Sequence, residues 1–169
     1  MAAPTMDYPD GPKSRFGQGE IIAGSSGLLL VALMFIPWFV WMGSAISITF
    51  GGETSSPGGN LSAWQFFEGK AHLFLATALL TVFLALFRRN LPSGLGAGLS
   101  LVVAGLGLVL AGLTVMYIAA PPLVDGHRGS MTIMDVESAP ALGAYLGVLV
   151  TLGIAVGGSL SFRSGRKAG

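Results

Sequence analysis

The stretch "GLGAGLSLVVAGLGLVLAGLTVMYI", residues 94–118, decides the fold class of this chain. It contains no charged residue, and as an α-helix it would be about 37 Å long at 1.5 Å per residue. A helix needs about 20 predominantly apolar residues to cross the ~30 Å hydrocarbon layer of a bilayer. The stretch is therefore predicted to be a transmembrane helix.

The composition of the whole chain also indicates a membrane protein. Of its 169 residues, 52% are hydrophobic and only 10% are charged, whereas a soluble domain carries about 25% charged residues. The expected partner is therefore the lipid bilayer. The net charge is +1 and no run of basic residues suggests nucleic acid. Cysteine is absent, which excludes disulfides, thiol catalysis and Cys-ligated metal sites.

Three further segments are apolar enough to predict membrane spans. Together they predict an all-α membrane protein, a four-transmembrane-helix antiparallel bundle. The predicted spans are residues 21–42, 71–87, 94–118 and 141–162. They lie in a domain of residues 20–163, between a flexible cytoplasmic tail (1–19) and a short cytoplasmic tail (164–169).

The distribution of Lys and Arg predicts the orientation, because cytoplasmic loops carry an excess of both. Seven of the nine basic residues fall on one side of the predicted membrane: Lys13, Arg15, Arg88, Arg89, Arg163, Arg166 and Lys167. Only Lys70 and Arg128 fall on the other side. We therefore expect both termini in the cytoplasm and the chain in the cell's inner (plasma) membrane.

The two outer loops are predicted to form a small extracytoplasmic cap. "AISITF", residues 45–50, alternates apolar and polar residues from Ile46, as a half-buried strand does. "SMTIMDV", residues 130–136, is a second candidate strand, and the two would pair. Ser62 and Gln65 have capping-box spacing, which predicts a helix start at Ser62, and Ser93 is the expected N-cap of the third span.

Small residues predict how the helices pack. The third span holds three Ala-Gly pairs seven residues apart, and the fourth has two Gly-x-x-x-Gly motifs. Small side chains let neighbouring backbones approach closely within lipid. The predicted helix-packing interface comprises Ala97, Gly98, Ala104, Gly105, Ala111, Gly112, Gly143, Gly147, Gly153 and Gly157. Two interpretations are open: packing inside the bundle, or an interface with a second copy or a partner subunit.

Aromatic and basic residues are expected to anchor the bundle at the two membrane surfaces. The predicted anchors are Trp38, Trp41 and Trp64 outside, and Arg88 and Arg89 inside. Pro37, late in the first span, is expected to bend that helix, and a gating hinge is the alternative interpretation.

A search for chemistry identifies one candidate site. Spans one, three and four hold no ionisable residue between their ends, and no motif of a soluble enzyme is present. Glu68 and His72 are four residues apart and would share a helix face, where His127 of the second outer loop can join them as ligands of a metal ion. A histidine hydrogen-bonded to a neighbouring helix or to Glu68 is the simpler alternative. No catalytic residue and no cofactor are predicted.

The order "FIPWFVW", "SAWQFF", "RRNLP" and "GAYLGVLVTLGIAVGGSLSFR" resembles that of functionally uncharacterised four-helix membrane proteins of Gly/Ala-rich bacterial genomes, actinobacteria in particular. The resemblance covers residues 20–163. It implies a tetraspan fold in a membrane and transfers no catalytic residue.

Two functions are consistent with these features of the sequence. The first is a non-enzymatic multi-pass protein that acts as a scaffold, accessory subunit or assembly factor, with another membrane protein or a second copy as partner. The alternative is a small oligomeric channel or carrier for neutral solutes, which Pro37 and the glycine stripes would support.

Overall fold

The computed structural model describes residues 17–42, 58–121, 124–128, 131–136 and 138–166. In these ranges the chain is mostly helical, with five α-helices and two small sheets. The helices are α1 (Gln18–Leu33), α2 (Ala63–Phe67), α3 (Ala71–Phe87), α4 (Ser93–Ala119) and α5 (Leu142–Arg166). The strands are β1 (Pro37–Met42), β2 (Gly58–Ser62), β3 (Val124–Arg128), β4 (Met131–Val136) and β5 (Ser138–Pro140).

The first helix is shorter than its predicted span of residues 21–42. It ends at Leu33, and β1 begins at Pro37. Proline lacks the N–H that a continuing helix needs, and it restricts the preceding residue to extended backbone. The indole Nε1 of Trp38 donates a 2.7 Å hydrogen bond to the carbonyl oxygen of Leu33, which satisfies one of the last helical carbonyls. Pro37 therefore ends the helix instead of bending it, and a hinge within a continuous helix is excluded.

The second predicted span agrees with α3, which covers residues 71–87. Helical structure begins earlier, at Ala63, and a 3₁₀ turn (Glu68–Lys70) joins α2 to α3. Ser62 precedes the start as predicted: its backbone N–H donates to Gln65 Oε1 at 3.0 Å.

The third and fourth spans are both found as long helices. Helix α4 begins at Ser93 with Pro92 as its N-cap, one residue before the predicted cap. Helix α5 continues to Arg166, beyond the predicted limit of residue 162.

The four longer helices pack in the order α3, α1, α5, α4. The most extensive contact is between α4 and α5, followed by α1 with α5 and α1 with α3. Glycines and alanines lie at these three contacts, whereas α3 has no glycine and its contact with α4 is less extensive. A tight turn joins α3 to α4, but close packing depends on residue size more than on proximity in the chain.

A three-stranded antiparallel sheet lies at one end of the bundle. Its strand order is β2-β1-β5, with Phe39 opposite Leu61 on one side and Pro140 on the other. Strands β3 and β4 form a separate antiparallel pair. The predicted strand at residues 130–136 is thus found as β4, but its partner is β3. The other predicted strand, residues 46–50, lies outside the described residues.

The outward surface of the helices is apolar. Leu28, Leu79, Leu101, Leu108 and Leu149 are each more than half exposed. By length and composition, Gly94–Ala119 and Leu142–Ser164 are long and apolar enough to cross a membrane, and Gln18–Leu33 and Ala71–Phe87 are shorter apolar helices.

Candidate functional site

A nearly buried ion pair lies where the start of α1 meets the ends of α3 and α5. Arg88, directly after α3, donates from Nη1 to Glu20 Oε1 at 3.0 Å and from Nη2 to the carbonyl oxygen of Ser161 in α5. The Arg88 and Glu20 side chains are only 14% and 10% exposed. The other carboxylate oxygen of Glu20 accepts from the backbone N–H of Gly17 at 3.0 Å. One arginine thus connects three helices.

A small cavity adjoins this pair. Besides Glu20 and Arg88, its polar lining consists of Thr81, Ser100 and Ser161, from three different helices. The space available to the centre of a water molecule is about 10 Å³. We call the pair and this cavity together the Arg88 cluster.

Sequence reasoning missed the Arg88 cluster, although it placed Arg88 at the cytoplasmic surface as an anchor. A signal was present: Glu20 and Arg88 have opposite charges and lie at the ends of two consecutive predicted spans, on the same side. Arg88 faces the bundle interior, because its guanidinium is engaged by α1 and α5.

The predicted metal or proton site is not assembled in the described residues. His72 is exposed, its Nδ1 lies 3.3 Å from the carbonyl oxygen of Gly69, and its ring meets that of Trp64 edge-on at 5.8 Å. The side chains of Glu68 and His127 lie outside the described part, so their ligand roles stay predictions. Among the described residues, no group of three His, Cys, Asp or Glu side chains is placed to hold a metal ion.

Lys70 has a defined partner at the end of the bundle near the sheets. Its Nζ donates to the hydroxyl of Tyr117 in α4 at 2.6 Å and lies 5.3 Å from the centre of that ring. This contact connects the α2–α3 turn to the C-terminal part of α4.

Trp38 lies in the core, not in an outward-facing belt. It is fully buried, and its ring meets Phe67 and Phe74 edge-on at 5.4 and 5.6 Å. The prediction of a surface anchor is wrong at this position, because the turn after α1 directs the indole back toward Leu33. Trp64 is half-buried, whereas the side chains of Trp41 and Arg89 lie outside the described part.

All four predicted glycines of α5 lie against neighbouring elements. A Cβ added at Gly143 or Gly147 would collide with Pro37 or with the ring of Trp38, and one at Gly153 would collide with Ser26. A Cβ at Gly157 would lie 2.5 Å from the backbone nitrogen of Ala23. Gly143, Gly147 and Gly157 therefore require glycine for the packing of α5 on β1 and α1, whereas the Ser26 hydroxyl opposite Gly153 can rotate away.

Two more glycines, which the sequence analysis did not select, hold α4 against α5. A Cβ at Gly107 would lie 2.8 Å from the Thr151 carbonyl oxygen, and one at Gly158 would lie 2.9 Å from the Ser100 carbonyl oxygen.

The Ala-Gly pairs of α4 divide between two directions. Ala104 and Ala111 are buried, each only 4% exposed. Gly98, Gly105 and Gly112 are exposed, and a Cβ at any of them would meet no atom within 4 Å. Ala97, the remaining predicted residue, is half-buried. We call the three exposed positions the outer glycine row.

The comparisons with known proteins give no relative. No protein-family model, no curated protein and no solved structure matches the chain. The resemblance to actinobacterial four-helix membrane proteins therefore stays a prediction.

Proposed function

We propose that this chain is a non-enzymatic, four-span membrane protein that acts as a scaffold, accessory subunit or assembly factor. Its partner is another membrane protein or a second copy of the chain, which packs on the outer glycine row of α4. The observation that carries the proposal is that Gly98, Gly105 and Gly112 have open space in front of them, whereas Gly107 on the same helix is closely packed against α5.

Membrane insertion is supported by the outward surface of the helices. Soluble monomers rarely expose contiguous apolar patches larger than a few hundred Å². Here α4 alone exposes Leu95, Leu101, Val102, Leu108, Val109, Val115 and Met116 by half or more. Lipid is the environment in which such a surface has no hydration cost.

The two shorter helices, α1 and α3, reach the length of a membrane span when the segments next to them are included. The helical segment from Ala63 to Phe87, with its 3₁₀ turn, measures about 37 Å at helical rise. Helix α1 has 16 residues, about 24 Å, and the turn before β1 extends it. Both segments then cross the ~30 Å hydrocarbon layer, with the sheets at the outer surface.

The orientation with both termini in the cytoplasm is supported by the positions of the basic residues. Arg88 and Arg163 lie at the same end of the bundle as the start of α1, and Lys70 lies at the other end. Excess Lys and Arg at one end is the pattern of a cytoplasmic face.

A scaffold is favoured over the alternative channel or carrier by the interior of the bundle. The buried hydroxyls of Thr77, Thr81, Thr114 and Thr151 each donate to a carbonyl of their own helix, at 2.6–2.8 Å. Their donor capacity is thus satisfied locally, and it is not presented to a passing solute. The sequence analysis cited Pro37, as a hinge in a helix, in support of a channel or carrier. Pro37 lies in β1 and not within a helix, so it no longer supports that alternative.

The experiment compares two added side chains at outward positions. Gly105→Ile projects bulk from the outer glycine row, and Ala76→Ile adds the same bulk on an exposed position of α3. The protein is purified in mild detergent from cells that produce it natively, and the particle size and co-purifying proteins are measured. We expect wild type and Ala76→Ile to retain a partner or second copy, and Gly105→Ile to lose it. A wild-type monomer without a partner, or an unchanged complex with Gly105→Ile, would contradict the proposal.

A liposome flux assay on the same preparations tests the alternative. Selective or saturable permeation of a neutral solute would favour the channel or carrier over the scaffold.

A further inference from the structure

The polar groups of the Arg88 cluster converge on a cavity inside an apolar bundle. Arginine carries five N–H donors, and the hydrogen bonds to Glu20 and Ser161 use two of them among the described residues. Glu20, Thr81 and Ser100 line the same space and supply oxygen atoms. The nearly buried guanidinium of Arg88 thus has further N–H groups that can donate to a ligand in this space.

The protons of the two hydroxyls are used within their own helices. Thr81 Oγ1 donates to the carbonyl oxygen of Thr77 at 2.6 Å, and Ser100 Oγ donates to that of Gly96 at 2.8 Å. Both residues are buried, at 1% and 2% exposed. Since their protons are committed to their own helices, the oxygens remain available as acceptors.

The size and chemistry of the cavity fit one ligand. A buried water needs at least about 10–15 Å³ for its centre and two to four polar partners. The cavity provides about 10 Å³, with N–H donors on Arg88 and acceptors on Thr81, Ser100 and Glu20. The geometry points to a structural water site in which one water accepts from the Arg88 guanidinium and donates to the hydroxyl oxygens of Thr81 and Ser100.

This water has a defined structural role. Thr81 belongs to α3 and Ser100 to α4, two helices that follow one another in the chain but have a less extensive direct contact than the other packed pairs. A water bonded to both side chains connects these helices at the end where Arg88 already connects α3 to α1 and α5. The Arg88 cluster then joins all four long helices. The inference does not depend on the proposed partner or on the orientation in the membrane.

The chain contains a matched control for testing the site. Thr114 of α4 is fully buried, and its hydroxyl donates to the Leu110 carbonyl oxygen at 2.8 Å, as Thr81 does to its own helix. Thr114 does not line the cavity. Thr81→Val and Thr114→Val therefore each remove an equivalent intrahelical hydrogen bond. Only Thr81→Val also removes a hydrogen-bond partner of the water.

The primary experiment is NMR on the purified, detergent-solubilised wild-type protein, with measurement of NOEs between water and threonine methyl groups. We expect a water NOE to the methyl of Thr81 and none to that of Thr114. Absence of the NOE at both methyls, or its presence at both, would overturn the site, because the second result reports general water penetration.

Thermal unfolding of the two variants gives an independent measurement. We expect the midpoint of Thr81→Val to fall about 2–4 °C further than that of Thr114→Val. Equal midpoints would contradict the water link. If Thr81→Val fails to fold, the wild-type NOE decides.

Discussion

At the scale of single residues, Trp38 organises the end of the bundle near the three-stranded sheet. Its N–H satisfies the last carbonyl of α1, its ring contacts two phenylalanines, and its backbone carbonyl accepts from Ala141 N–H at 2.8 Å. Gly147 provides the space for that ring, so the two residues have to be considered together.

The first prediction concerns this space. A methyl group at Gly147 would overlap the ring of Trp38, which the hydrogen bond to Leu33 prevents from moving away. We expect Gly147→Ala to destabilise the fold by about 1–3 kcal/mol. The matched control is Gly94→Ala, at an exposed position in the first turn of α4 outside the outer glycine row, where the methyl meets open space and the higher helix propensity of alanine makes the change neutral or stabilising. Unfolding midpoints in detergent measure both; equal effects would show that the ring has room to move.

The second prediction concerns Glu20 and Arg88. Removing one member of a nearly buried ion pair leaves an uncompensated charge, so Arg88→Met is expected to cost about 3 kcal/mol or more. Glu20→Gln/Arg88→Met removes both charges, and we expect it to be more stable than Arg88→Met alone. A double-mutant cycle from unfolding measurements gives the coupling. Purely additive effects of the two substitutions would mean that the charges do not interact across the helices.

At the scale of helices, the distribution of glycine determines which neighbours touch. The sequence analysis identified Gly143, Gly147, Gly153 and Gly157 as packing residues, and the structure places all four against other elements. It selected neither Gly107, which lies outside the seven-residue Ala-Gly pattern of the third span, nor Gly158, which lies outside the Gly-x-x-x-Gly motifs of the fourth.

The Ala-Gly pairs show why the sequence alone could not predict which side of α4 packs against the rest of the bundle. Adjacent residues on a helix point about 100° apart, so Ala104 and Gly105 cannot both face the same neighbour. The repeat indicates a helix with two small-residue rows, and the surface of α5 determines which row is buried. That surface includes Thr151 and Ala155, which lie against Gly107.

The third prediction compares two glycines of α4. Gly107→Leu places a side chain against the backbone of Thr151 and Ala155, where no flexible group can yield, so we expect loss of the folded bundle. Gly94→Leu lies on the same helix but outside the outer glycine row, projects into open space and should leave the unfolding midpoint nearly unchanged. Protein yield and thermal unfolding in detergent provide the measurement. A folded, stable Gly107→Leu protein would contradict the close α4–α5 contact.

Helix ends were predictable where local chemistry specifies them. The start after Ser62 follows from its hydrogen bond with Gln65. The end of α1 at Leu33 was missed because residues 34–42 are as apolar as the helix before them. Proline was interpreted as a bend in a lipid-embedded helix, and the indole of Trp38 as an anchor at the membrane surface.

At the scale of the whole molecule, hydrophobicity predicted four apolar helices and the approximate limits of three of them, the exception being the end of α1. It did not predict their packing order, because that order depends on interlocking surfaces contributed by different parts of the chain. The Arg88 cluster was not predicted for the same reason, because it forms only where α1, α3, α4 and α5 meet at one end of the bundle. The sheet of β1, β2 and β5 likewise brings together residues from both outer loops.

The fourth prediction, and the central claim, is that the bundle spans a membrane with the Arg88 end in the cytoplasm and the sheets outside. The chain contains no cysteine, so each introduced cysteine is unique. Asn60→Cys lies in β2, and Ser164→Cys lies near the end of α5, both at exposed positions.

The decisive measurement is labelling of these two variants by a membrane-impermeant maleimide in intact cells and again after permeabilisation. The account predicts that Asn60→Cys is labelled in intact cells and that Ser164→Cys is labelled only after permeabilisation. Labelling of Ser164→Cys but not Asn60→Cys in intact cells, equal labelling of both, or recovery of the protein in the soluble fraction would contradict it.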